Sequence, residues 1–169
     1  MSAAGLIVDL PGFRRAWGVA MDNRVGIPGY KYYVDPVTGS RPEVFVAFLD
    51  IEPSEPDAVN GICVPVTAGQ LDALDRRERQ YVRIDIAERM PMPEGPVWVY
   101  VGSGPGRARR LEGDRTGTTV VVREYRAGVE RAFDRLGARE RQAYDRSTAP
   151  PGCPEVTLSR RAVRGPTRR

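Results

Sequence analysis

An α+β fold follows from three features of this chain of 169 residues. Apolar runs of strand length recur up to Val101. One short helix with its own start signal interrupts them. After Val120 helical periodicity takes over.

Charged residues make up 28% and hydrophobic residues 41%, the balance of a globular chain with one real core. The expected organisation is a single domain over residues 1–158 and a basic, disordered tail over 159–169. The net charge of +4 belongs to that tail, since its five arginines stand with no acid and the remainder holds 21 basic against 22 acidic residues. The body is therefore not basic, which argues against a nucleic-acid partner. No apolar run approaches the ~20 residues that span a bilayer, and no membrane partner is expected. The N-terminus lacks the basic and apolar regions of a secretory signal, so the expected location is the cytoplasm, with Cys63 and Cys153 as reduced thiols. Oligomeric state leaves no mark in the sequence. The chain has no histidine, which excludes Cys-His and Ser-His-Asp catalysis and His-rich metal sites. Its only lysine is Lys31, and every other basic side chain is arginine.

In chain order, Met1 to Leu10 offers little beyond Leu6-Ile7-Val8. Phe13 to Met21 is the first expected strand, entered by a turn at Pro11-Gly12. Asp22 to Pro42 shows neither period, and carries Gly26, Pro28, Gly29, Pro36 and Gly39 together with Tyr30, Tyr32 and Tyr33. A loop of that length is often functional. Its tyrosines either line a lid or pocket wall, or pack onto the core. Val44 to Ile51 suits a strand buried on both faces. Glu52 to Asp57 reads as a polar connection.

The central unit runs from Val59 to Ile86 as strand, helix, strand. Thr67 and Gln70 form a T-x-x-Q capping box that starts the helix. Leu71 and Leu74 fall on one face, and Glu78, seven residues after Leu71, turns toward the same side. An acid on an inward face at the negative end of a helix is disfavoured as a carboxylate. That is a useful property in a general base. The plainer alternative is a surface carboxylate paired with Arg76, Arg77 or Arg79.

Met90 to Pro96 is a connector, and Val97 to Val101 a strand. Gly102-Ser103-Gly104-Pro105-Gly106-Arg107 superficially suggests a phosphate loop, but Pro105 removes an N–H and no helix start is evident after it. Val120 to Leu136 is an apolar entry and a helix, with Val122, Tyr125, Val129, Phe133 and Leu136 along one face. Ala138 to Arg146 is a second helix. Ser147 to Pro154 is Pro-rich and expected to wrap the surface.

The run V-N-G-I-C-V-P-V followed by L-D-A-L-D-R-R-E-R-Q-Y-V-R-I-D-I resembles the central segment of the γ-glutamylcyclotransferase-like superfamily. There a "G-x-x-(F/Y/V)-x-V" strand leads into an "L-x-x-L-D-x-x-E" helix, an aromatic and a strand. The segment V-V-V-R-E-Y-R-A-G-V-E-R-A-F resembles a later part of the same family. The resemblance covers about residues 10–158. It implies a small mixed β-barrel with flanking helices and a site at one mouth. It makes Glu78 the catalytic acid/base, with Tyr81 and Tyr125 in the substrate pocket and Tyr30 from the tyrosine loop as a further wall. Tyr125 also fits a plain core role. The implied reaction converts a γ-glutamyl amine or peptide to 5-oxoproline and free amine, with no metal or cofactor. Family members open with a strand and a "Y-G-(S/T)-L" loop whose amides hold the glutamyl group. Nothing in Met1 to Pro11 matches it, so the first strand is expected to be absent. That departure leaves open a non-catalytic binding or interaction module on the same barrel.

Overall fold

The computed structural model describes residues 5–90 and 95–163. The class is α+β, with twelve elements among the described residues. Strands β1 (Leu6–Asp22) and β3 (Phe45–Cys63) form a long antiparallel pair. Short strands β6 (Thr119–Val122) and β7 (Glu155–Val156) extend that sheet in parallel, in the order β1-β3-β6-β7. Strands β2 (Lys31–Val34) and β8 (Ser159–Ala162) make a second sheet, and β4 (Tyr81–Asp85) with β5 (Trp98–Gly102) a third. The ladders stay in these three groups, and no closed barrel forms among the described residues. The helices are α1 (Ala68–Arg77), α2 (Gly104–Thr116), α3 (Arg123–Leu136) and α4 (Ala138–Ser147).

The expected strand–helix–strand unit is present as the end of β3, α1 and β4. Thr67 accepts from the Gln70 amide and the Gln70 side chain accepts from the Thr67 amide, the reciprocal capping box. Helices α3 and α4 also lie where their periodicity places them.

Five expectations need correction. The first strand begins at Leu6, not Phe13, and Pro11-Gly12 is an irregularity inside it rather than a turn before it. Gly12 has φ +78°, which bends the strand without ending it. Glu52 to Asp57 belongs to β3, bulging opposite Gly12, so polarity there marks solvent exposure and not a connection. The tyrosine loop contains β2, whose partner β8 lies within the tail expected to be disordered. That pairing uses backbone groups, so the arginine-rich composition does not oppose it. The remaining tail arginines Arg164, Arg168 and Arg169 lie outside the described residues.

The fifth correction is α2. A helix does start after Gly102: Ser103 caps it, accepting from the Gly106 amide at 3.0 Å, and Pro105 sits in its first turn. The helix carries no apolar stripe, and its Leu111 is 70% exposed. It packs through Gly106 and Gly113, its two buried residues. A Cβ at Gly106 would stand 2.6 Å from the Gln80 carbonyl oxygen, and one at Gly113 would press on Phe45 and Thr119.

A central core of Val19, Met21, Tyr33, Val46, Phe48, Val120 and Val122 joins the main sheet to β2. Tyr30, Tyr81, Tyr125 and Leu158 pack against it. Asp50 ties β3 to β5 and α2. Its carboxylate accepts the Gly102 amide at 2.6 Å and pairs with Arg107 at 2.9 Å, while only 1% of the side chain is exposed. On the far side, Arg15 is buried over the stacked rings of Phe133 and Tyr144 and donates to Asn60 and to Ser147, linking β1 to α3 and α4. Ser147 to Pro154 then crosses the surface, with Ala149 accepting from the Trp17 indole at 3.1 Å.

Candidate functional site

A cavity of about 520 Å³ opens where α1, α3 and the β2–β8 ribbon meet the central core. Its walls include all four side chains singled out from the sequence: Glu78, Tyr81, Tyr125 and Tyr30. Three separate elements deliver the first three, and Tyr30 comes from the loop just before β2. Glu78 is the C-cap of α1, Tyr81 opens β4 three residues later, and Tyr125 lies in the first turn of α3.

Glu78 faces inward because Leu71, Leu74 and Glu78 form the half-buried stripe of α1, as their spacing implies. The pairing with a neighbouring arginine is also real. Arg77 donates to the Glu78 Oε1 from Nε at 2.8 Å and from its terminal nitrogen at 2.7 Å. Both contacts fall on Oε1, and Oε2 makes no hydrogen bond among the described residues. One carboxylate oxygen is thus held and the other has no partner among the described residues.

Tyr81 and Tyr125 do two jobs at once. In β1, Trp17 and Gly18 bulge opposite the single residue Leu49, which has no cross-strand partner in the register. The Leu49 carbonyl instead accepts from the Tyr81 hydroxyl at 2.5 Å, and its amide reaches the Tyr125 hydroxyl at 3.4 Å. Tyr125 packs edge-on against Phe48, with ring centroids 5.0 Å apart, and against Trp17 at 6.1 Å. Burial raises the pKa of both phenols well above the usual range, so both stay neutral, Tyr81 as a donor and Tyr125 as an acceptor, each with an apolar ring in the wall. The core role and the pocket role, posed as alternatives for Tyr125, coincide. The same holds in the tyrosine loop. Tyr33 belongs to the buried core and lines the cavity, with its phenol pushed up to about 12 by burial. Tyr30 lines the cavity too, and burial raises its pKa. Tyr32 turns away and sits under the Arg41 guanidinium at 4.6 Å.

Sequence reasoning missed Lys31, Phe48, Leu158 and Arg160 in this wall. Lys31 places its ammonium 3.9 Å from the Phe48 ring centroid. Burial, and next the Arg160 charge, lower its pKa to about 8. Its signal was its singularity as the chain's one lysine. Arg160 left no signal, because nothing in an arginine-rich tail distinguishes one member.

Among the described residues no group of three or more His, Cys, Asp or Glu side chains gathers to hold a metal. Cys63 and Cys153 are free thiols. No helix among the described residues is long and apolar enough to cross a membrane. No protein-family model, curated protein or solved structure matches the chain.

Proposed function

We propose that this chain is a γ-glutamylcyclotransferase-like enzyme, with Glu78 as its acid/base. The observation that supports this reading is the convergence on one cavity of Tyr30, the adjacent Glu78 and Tyr81, and Tyr125, from three regions far apart in sequence. The fold that goes with it is a small mixed barrel, and the location that goes with it is the cytoplasm.

In the proposed reaction the substrate's α-nitrogen attacks its own γ-carbonyl carbon. A C–N bond forms, the five-membered ring closes, and the bond to the leaving amine breaks. The products are 5-oxoproline and a free amine. Two protons leave the α-ammonium and two reach the departing nitrogen, so the balance needs only a shuttle. In this reading the unpartnered Oε2 of Glu78 takes and returns them, while Arg77 on Oε1 orients the carboxylate. Tyr81, Tyr125 and Tyr30 shape a half-apolar slot that limits water around the reacting carbonyl.

The test is direct. Supplied with γ-glutamyl amines and peptides, the protein should release 5-oxoproline, detected by mass spectrometry, and Glu78→Gln should not. Product no higher than in that control ends the catalytic reading. A non-catalytic binding module is the second reading, and the two Arg77 contacts favour it, since a resting ion pair accounts for Glu78 without chemistry. It predicts thermal stabilisation by the same compounds without turnover.

A further inference from the structure

The cavity wall carries five charged side chains: Lys31, Arg77, Glu78, Glu124 and Arg160. Two of the cations are differently placed from the third. Arg77 is engaged by Glu78 at 2.7 Å. Glu124 is engaged by Arg131 at 2.6 Å, and its side chain is 78% exposed. Lys31 and Arg160 make no ion pair and no side-chain hydrogen bond among the described residues. The wall therefore holds an excess of positive charge with no protein anion assigned to it.

Their position is set by strand register. Tyr33 stands opposite Arg160 across the β2–β8 pair, and Lys31 lies two residues before Tyr33. Lys31, Tyr33 and Arg160 thus share one face of the ribbon, and that face is the cavity wall. A lysine with no task would extend its head group to solvent. Here the ammonium lies 3.9 Å from the Phe48 ring and 5.6 Å from the Tyr30 ring. Aromatic faces attract a cation, but they neither accept its proton nor cancel its charge.

We propose that Lys31 is the specificity residue of this cavity and binds the carboxylate of an anionic small molecule, with Arg160 supplying a second positive charge. On the cyclotransferase reading, on which this identification rests, that group is the α-carboxylate of the γ-glutamyl unit. It adjoins the α-nitrogen that Glu78 deprotonates. Lys31 then anchors one substituent of the α-carbon while Glu78 works on the other. A side-chain cation takes this part, and the cavity selects acids over their neutral amides. The charged and titratable groups around Lys31 are Arg77 and Glu78 from α1, Tyr81 from β4, Glu124 and Tyr125 from α3, Arg160 from β8, and its neighbours Tyr30 and Tyr33. Burial brings its pKa down to about 8, which still leaves the ammonium charged at neutral pH, so an arriving carboxylate offsets the cost of holding that charge in the wall.

The probes are 5-oxoproline and 5-oxoprolinamide, which differ in one charged group, titrated calorimetrically at neutral pH into wild type, Lys31→Met and Lys31→Arg. Wild type should bind the acid at least about tenfold more tightly than the amide. Lys31→Met should lose that preference and Lys31→Arg should keep most of it. Equal affinity for acid and amide in wild type, or no binding of the acid, overturns the proposal without any variant having to fold. A preference that survives in Lys31→Met overturns it as well. Turnover of γ-glutamyl substrates is read in parallel. Lys31-dependent binding of the acid without turnover upholds this site and rejects the cyclotransferase. Turnover with KM unchanged in Lys31→Met upholds the enzyme and rejects Lys31.

Discussion

The Tyr81 hydroxyl donates to the carbonyl oxygen of Leu49 at 2.5 Å. This bond joins the site's tyrosine to the backbone opposite the β1 bulge. Replacing Tyr81 with phenylalanine keeps the ring and removes the donor. The expected loss of stability is about 1–2 kcal/mol, the cost of a part-buried carbonyl losing its donor, measured by urea unfolding.

Glu78→Gln should separate chemistry from folding. The Arg77–Glu78 pair is half in water, with side-chain exposures of 69% and 23%. Pairs of that kind contribute about 0–1 kcal/mol, so the melting temperature should move by no more than about 4 °C. Release of 5-oxoproline should vanish. A large drop in melting temperature would assign Glu78 to the fold instead.

Asp50→Ala should do the opposite. It strips a buried carboxylate from Arg107 and from the Gly102 amide. The half-exposed guanidinium can turn to water, so the main loss is the buried Gly102 amide left without its acceptor, about 1–3 kcal/mol, read by chemical denaturation.

The helix α2 offers a contest between propensity and packing. Alanine at Gly106 would gain about 1 kcal/mol of helix propensity. Its Cβ would meet the Gln80 carbonyl oxygen at 2.6 Å. Backbone yields little, so overpacking should win and Gly106→Ala should be net destabilising by about 1–2 kcal/mol. Circular dichroism through a denaturant series measures the sign.

Lys31 gives a pH dependence. Its pKa is about 8 in the folded chain against an ordinary 10.5. The unfolded chain therefore binds this proton more tightly, and stability from this group rises as pH climbs from about 8 to about 10.5. Below that window the folded chain carries the full cost of the buried charge. Lys31→Met should be more stable than wild type at neutral pH by roughly 1–2 kcal/mol, after allowance for partial solvation. The gap should close as pH rises through the window, which paired thermal melts across pH would show.

Where side chains dictate local structure, the sequence was legible. Thr67 and Gln70 announce α1 because their side chains make the capping bonds themselves. The 3.5-residue average spacing from Val122 to Leu136 announces α3 because an apolar stripe needs that period. The same spacing argument brought Glu78 to the inward face, and the structure places Tyr30, Tyr81 and Tyr125 beside it. The alternatives posed for these tyrosines were not exclusive, since one ring face can pack while its edge lines a cavity.

The rest depended on interactions that carry no residue code. Strand β8 exists through backbone hydrogen bonds to β2, which any arginine-bearing residue can make. Helix α2 docks through the absence of side chains at Gly106 and Gly113, so it shows no hydrophobic period. The course of β3 through Glu52 to Asp57 follows β1, its partner far away in the chain. By itself the sequence determined the α+β class, the central strand–helix–strand unit and the inward turn of Glu78, because local periodicity and capping are short-range physics. Tyr81 and Tyr125 are singled out through the family resemblance, and Tyr30 with them from the tyrosine loop. Only the tertiary structure decided that Lys31 and Arg160 share one wall with Glu78, because strand register between β2 and β8 is a long-range choice that neither segment encodes alone.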